Sequence, residues 1–556
     1  MSQPRNHRKR DRSSSEHGRV DGAEASAPRL CLILHAHLPY VRHPEHPRFL
    51  EEDWLFEAIL EVYLPLLLRL ERLAEEGIPT PCSLSLSPTL LAMFEDPLLR
   101  DRFAGWLDRR IEFLQAETER LRWFPQALAL AEHYLAESEA ARALYETRYR
   151  RDLIAAFARL ANGVELITTN ATHGFLPLLG DAPPLWRAQI QTARSEHRRH
   201  FGQEPSTHWL SECGYAAGLD RVLAECGVAA SVLEEHGVLH ARPAPRHGAH
   251  APVLSEAGVL FFARDAAASR EIWSAGEGLP GHPLYRDFFR DVGWDLDLDY
   301  VAPFLHDAAR RNPLAVRYHR VTGAGEKDWY EREVGLALAE RHAREFWARR
   351  EEQADSLSRL SDRLPVITLP FDAELFGHWW YEGPHFLEAL FREAAGSTRL
   401  RMVGLSEAHA LERRVQQAEP TPSSWGEGGY SAYWLSREND WILRRLRRAG
   451  EAMVALATRW SLRPPELAGG ERQIRQLGRE LLLAQSSDWP FILKSGASAE
   501  YAARRAGEHL DACDRLYDGL VNERVDMSYL KERETRWPIF PSLDWRLFAE
   551  TTESVA

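Results

Sequence analysis

The chain has no apolar run near the roughly 18 to 20 residues needed to cross a bilayer, which argues against a membrane-spanning helix. Cysteine is scarce: Cys31, Cys82, Cys213, Cys226 and Cys513 are odd in number, far apart and without CxxC spacing. That pattern suggests neither a disulfide framework nor a zinc knuckle, and a reducing cytoplasm is the expected home. Positive charge is short as well, with a net charge of −13 and lysine only at Lys9, Lys327, Lys494 and Lys531. Nucleic acid and anionic membrane surfaces both demand clustered positive charge, so neither is an expected partner. No internal repeat and no long low-complexity linker is present, so the parts of the chain should pack together. The first 27 residues, "MSQPRNHRKRDRSSSEHGRVDGAEASA", lack an apolar core, do not form a secretory signal and read as a disordered tail.

What is present starts with size: 556 residues are too many for one ordinary core, so two or three domains are expected. From Leu30 onward short apolar runs end in polar residues. "LCLIL" leads into His35 and His37, "VELITT" into Asn170 and His173, "HWL" into Glu212 and "ASVL" into Glu234 and His236. "VLFFA" leads into Arg264 and Asp265, "VITLPF" into Asp372, and "MVGL" into Ser406 and Glu407. Buried parallel strands read this way, and in α/β barrels the chemistry sits at their C-terminal ends. An α/β barrel of about seven strands is the expected core, from residue 28 to residue 415. Two segments break the alternation. Between about Pro97 and Arg150 the period is helical, with Leu99, Phe103, Leu107, Ile111 and Leu114 on one face, which reads as an insertion. From about residue 416 to the end strand signals fade, and Ile474, Leu477, Leu481 and Ala484 share a helical face in an α-helical C-terminal domain.

Two strand-end carboxylates stand out, Glu212 in "HWLSECGY" and Asp372 in "PFDAELFGH". Flanking aromatics desolvate such groups and shift their pKa values apart, which suits the two carboxyls that glycoside cleavage needs. Either one alone reads equally well as a buried acid paired with an arginine. Glu374 lies two residues past Asp372 and competes for the acid role if the strand continues. Many of the 18 tryptophans adjoin acids in glycine-containing loops: Trp379, Trp425, Trp434 and Trp489. Sugar rings stack on exposed aromatic faces, so an oligosaccharide cleft is the expectation, with part of these rings in the core. "HAHLPY" supports a rival, because His35 and His37 share a strand face and a His-x-His pair can ligate zinc. That would give a metal-dependent deacetylase or mannosidase type of barrel, but no HxxxH or HExxH partner is found. The favoured reading has the imidazoles, with His173, bonding sugar hydroxyls and holding Glu212 ionised.

Taken in order, "HAHLPYVRHPE", "VELITTNATHGFLPLL", "WLSECGY", "PFDAELFGHWWYEGP" and "SSWGEGGY" resemble the motifs of glycoside hydrolase family 57, and within it the glycogen-branching subgroup. The resemblance runs from about residue 30 past "ELLLAQSSDWPFIL". It implies an incomplete (β/α)7 barrel with a helical insertion and an α-helical C-terminal domain, and a retaining mechanism without metal or other cofactor. It implies Glu212 as nucleophile and Asp372 as general acid/base. For substrate contact it implies His35, His37 and His173, with Trp425 and Trp434 lining an α-glucan cleft; Arg264, Trp379, Asp488 and Trp489 are added as further contacts. Ser211 stands where the family commonly has proline. "ARPAPRHGAHAP", residues 241–252, resembles a mobile loop over the cleft, with His247 and His250 where tyrosine-like rings are expected. A family 57 α-amylase, a 4-α-glucanotransferase and an inactive glucan-binding protein are the alternatives.

Overall fold

The computed structural model describes residues 27–274, 277–323 and 325–550. The tail read from the sequence lies outside them except for its last residue. Parallel strands β1 (Arg29–Ala36), β2 (Ser83–Leu86), β3 (Glu165–Ile167), β4 (Ala230–Leu233), β5 (Leu260–Ala263) and β6 (Val366–Asp372) form a closed ring with one further segment. β1 pairs with β2 and β2 with β3; Thr168 then bridges to His208 and Thr207 to Ala230. β4 pairs with β5, Arg264 bridges to Thr368, and β6 returns to β1. A further strand, β7 (Arg401–Val403), pairs with Arg29 to Cys31 of β1, below the point where β2 begins at Ile33.

Alternation along the strands sorts two cores. Cys31, Ile33, Ile167, Ala230, Val232, Leu260, Phe262 and Val366 fill the barrel interior. Leu30, Leu32, Leu34, Leu84 and Leu86 face the surrounding helices. Both strand faces are buried, which is why the strands read as continuous apolar runs. β2 is the exception, and the apolar-run pattern passes over it: its sequence is Ser-Leu-Ser-Leu. Its serines point inward and are bonded there, Ser83 Oγ donating to Glu165 Oε2 at 2.6 Å.

The segment after β2 forms helices Pro97–Arg120 and Pro125–Ala143, the first capped by Asp96, whose carboxylate accepts the Leu99 N–H. They pack on each other and, through Phe113, Leu130 and Tyr134, on Val316, Tyr318 and Tyr330. A 29-residue helix, Arg332–Leu360, leads into β6. After β7 come helices Asp440–Leu462, Gly470–Ala484, Asp488–Ser495, Ala499–Val521 and Met527–Arg536. Buried Arg505 lies over the Trp537 ring and donates to the Tyr40 carbonyl at 3.0 Å, tying this helical region to the loop after β1. Glu480 is fully buried between His509 Nδ1 at 2.7 Å and Arg533 at 2.9 Å. No described helix is long and apolar enough to cross a membrane.

Candidate active site

Ser85, His35 and Asp372 are opposite one another on β2, β1 and β6, and in-register neighbours in a parallel sheet point the same way. They form the inward layer above the apolar plug. His37, two residues on, stacks on His173 with ring centroids 3.9 Å apart, and His173 stacks on His35 at 4.8 Å. His173, Glu212 and Cys213 all adopt left-handed backbone, with φ of 55°, 63° and 51°. For non-glycine residues this costs about 1 kcal/mol or more each and persists only where surrounding bonds enforce it. At Glu212 those bonds converge on Ser211, whose Oγ lies 3.1 Å from Thr169 Oγ1 and accepts from Asn170 Nδ2 at 3.1 Å. Asn170 Oδ1 in turn accepts from His208 Nε2 at 2.9 Å. Side-chain bonding thus fixes the turn where a proline ring was the expectation.

The Glu212 carboxylate is buried. Its Oε2 accepts the Trp425 indole N–H and its Oε1 accepts the Ser487 hydroxyl at 3.1 Å. Burial pushes its pKa up to about 8; the two donors oppose this, and the charges of Asp372 and Asp488 add to it. Burial also raises Asp372 to about 6, opposed by the neighbouring His37 imidazole and Arg264 guanidinium. Glu374 is separated from this pair in role. β6 ends at Asp372 and a 3-10 turn follows, so Glu374 does not continue the strand face. Its Oε1 is engaged by the Tyr63 hydroxyl and by the His37 N–H at 3.1 Å, an anchor for the β1 end.

His35 and His173 bond to each other, Nε2 to Nε2, at 2.9 Å, and burial holds both well below the usual imidazole range. His37 lies 3.0 Å from Ser87 Oγ through Nδ1 and 3.2 Å from both Asp488 oxygens through Nε2. Asp488 also accepts the Ser486 hydroxyl. Residues 486–488 therefore reach into the barrel mouth from the helical region, and the Ser487 N–H bonds the His173 carbonyl at 3.2 Å.

His37, His173 and Asp488 are spaced closely enough to hold a metal ion. Their polar atoms are already engaged, His173 through both ring nitrogens and His37 through both of its own, so an ion would have to displace these bonds. A second grouping, Glu57, Glu61 and His378, is neutralised by Arg286 and Arg317, which lie 3.0 to 3.5 Å from the two carboxylates.

The tryptophans divide. Trp425 is partly buried, 5.4 Å from the Trp209 ring, with the Arg264 guanidinium 5.6 Å over its other side. Arg264 is paired with Glu234 at 2.8 Å. Trp379 is 41% exposed and free to present a face. Trp434 and Trp489 are corrections to the sequence expectation. Trp434 is 1% exposed beneath Phe175, 4.5 Å away, and Trp489 is fully buried with its N–H on the Leu483 carbonyl. Neither offers a ring face to a sugar; both are core. The histidines of segment 241–252 also serve elsewhere. His250 binds Asp265 at 3.2 Å, and His247 lies 3.1 Å from Ser361 Oγ on the barrel flank. Ser487, Ser85 and Tyr63 are site residues that the sequence did not single out.

Residues 31–282 match the model for glycosyl hydrolase family 57, and residues 445–548 the model for the C-terminal part of 1,4-alpha-glucan branching enzyme. A probable 1,4-alpha-glucan branching enzyme of Mycobacterium tuberculosis is 30% identical over 521 residues, covering 89% of this chain and 93% of that protein. Among solved structures, an alpha-amylase from Thermotoga maritima is 36% identical with a TM-score of 0.87, covering 95% of this chain and 100% of that one. A branching enzyme from Thermococcus kodakaraensis, solved in complex with glucose, is 28% identical with a TM-score of 0.83, covering 94% and 97%.

Proposed function

Because the chain belongs to glycosyl hydrolase family 57, and because residues 445–548 match the C-terminal part of branching enzymes, we propose that it is a 1,4-α-glucan branching enzyme. One observation carries the reading: Ser487 and Asp488, inside the stretch matched by the branching-enzyme model, complete the surroundings of Glu212 and His37. The barrel of residues 28–415 holds both carboxyls, and the helical region from residue 416 closes on it.

Glu212 attacks C1 of an α-1,4-linked glucose as Asp372 gives its proton to the departing oxygen, leaving a covalent glycosyl ester. Asp372 then takes the proton of an incoming 6-hydroxyl, which displaces Glu212 and makes an α-1,6 branch with retention. Water competes at tens of molar, so transfer depends on a shielded, positioned acceptor. Between about pH 6 and about pH 8 the two carboxyls hold a single proton, and the productive form has it on Asp372. The activity profile is then bell-shaped, its limbs belonging to the pair. The Trp425 and Ser487 donors favour the anion on Glu212.

The similarity to an alpha-amylase favours a second reading, hydrolysis of the same bonds. Incubation with amylose separates them: products are debranched with isoamylase and sized, with reducing ends counted in parallel and Glu212→Gln as control. New α-1,6 branches with few new reducing ends, absent in the variant, support branching. Reducing ends without branches support the amylase.

A further inference from the structure

Five side chains form a continuous file from β2 to Glu212. Ser85 Oγ lies 3.1 Å from His35 Nδ1, and His35 Nε2 lies 2.9 Å from His173 Nε2. His173 Nδ1 lies 2.8 Å from Ser487 Oγ, and Ser487 Oγ lies 3.1 Å from Glu212 Oε1. Ser85, His35, His173 and Ser487 are all buried, so water does not supply alternative partners. Their proton positions can be solved one after another. An ionised carboxylate only accepts, so Ser487 gives Glu212 its one hydroxyl proton. Ser487 must then accept from His173 Nδ1–H. A neutral His173 has a bare Nε2, which accepts His35 Nε2–H, and a neutral His35 has a bare Nδ1, which accepts the Ser85 hydroxyl. Burial keeps both rings neutral. Every bond therefore points toward Glu212.

We propose that Ser85, His35, His173 and Ser487 form a one-way hydrogen-bond chain that fixes both histidine tautomers and commits the Ser487 proton to Glu212. The proposal rests on Glu212 being the nucleophile. Ser487 and Ser85 are positioning residues: neither reacts, and Ser85 acts on Glu212 only through three intervening side chains. The polarity is set at the Glu212 end, and Ser85, in register beside His35 on β2, supplies the matching hydroxyl donor at the far end. In a chain of such bonds each donor polarises the next, so removing the far end weakens the near one.

The test uses the full-length protein with 15N-labelled histidine. Above the Glu212 value of about 8, where that carboxyl is ionised, the expected spectrum shows His35 protonated at Nε2 and His173 protonated at Nδ1, assigned with His35→Gln and His173→Gln. Ser487→Ala should raise the upper limb of the pH profile by about one unit and lower kcat/KM about tenfold at neutral pH, with KM nearly unchanged. Ser85→Ala should shift the limb the same way by less, and Ser85→Thr should restore it. The opposite tautomers, or a doubly protonated ring, overturn the chain whatever reaction is catalysed. An unmoved limb in both serine variants overturns it too. Undiminished transfer by Glu212→Gln would instead refute the nucleophile assignment while leaving the tautomer result intact.

Discussion

Replacing Trp425 by phenylalanine deletes one N–H from Glu212 and leaves a ring between Trp209 and the Arg264 guanidinium. A hydrogen bond to a charged acceptor is worth about 1.5 to 3 kcal/mol. At 1.36 kcal/mol per pKa unit, its loss raises the Glu212 carboxyl about one to two units above its value of about 8. With Glu212 the higher of the two carboxyls, the productive one-proton form is the minor one, and each unit added to Glu212 reduces its share about tenfold. The expected result is a fall in kcat/KM of about ten- to a hundredfold at neutral pH, with the upper limb moving to higher pH by the same number of units. The assay is initial rates on amylose, read as branches and as reducing ends, from about pH 5 to about pH 10 for both proteins. A profile unchanged in position, with the loss confined to KM, would refute this account and leave Trp425 as a stacking surface alone.

Asp372→Asn should lower turnover about a thousandfold, whereas Glu374→Gln, whose carboxylate is already engaged by Tyr63 and the His37 N–H, should lose less than about tenfold; the reverse ranking in initial rates would exchange their roles. Glu480→Ala leaves buried Arg533 with Glu508 alone and deprives His509 Nδ1 of its acceptor, and should cost about 3 kcal/mol in denaturant unfolding; a change under about 1 kcal/mol would contradict it. Burial raises the Glu480 pKa, but the His509 and Arg533 bonds outweigh it and hold the group down at about 2. Its stabilisation is therefore complete above the unfolded glutamate value and is lost as pH falls toward 2, which acid titration of the wild type against Glu480→Ala will show. Dialysis against a chelator should leave the rate on amylose unchanged, since the nitrogens of His37 and His173 are held by protein partners; loss restored by a divalent ion would revive the metal reading.

The ring of strands and its two acids were legible because burial on both faces writes long apolar runs, and because reactive groups stand at their ends. β2 was not, because four residues of alternating serine and leucine carry no run, although Ser85 is the in-register neighbour of His35. Ser487 was quoted in its motif but its place was invisible, since its contact with Glu212 spans 275 positions and no local period encodes it. Trp434 and Trp489 show the limit from the other side. A tryptophan beside an acid in a glycine-rich turn has the same local sequence whether its ring lines a cleft or lies under Phe175. Gly377, between Phe376 and His378, is a further case: its φ of 131° and the Glu61 carbonyl beside it leave no room for a side chain, a constraint set by the helical stretch Ile59–Tyr63 and not by its sequence neighbours.

The arrival of residues 486–488 at the barrel mouth bears on the order in which the protein is made. A ribosome completes every strand of the ring, and both carboxyls, before it reaches Ser487. Until then Glu212 is without one of its two donors and His37 is without Asp488. A barrel that closes early on the growing chain thus carries Glu212 with an incomplete set of donors, and the mouth of the barrel is finished only once the helices that supply Ser487 and Asp488 have been synthesised.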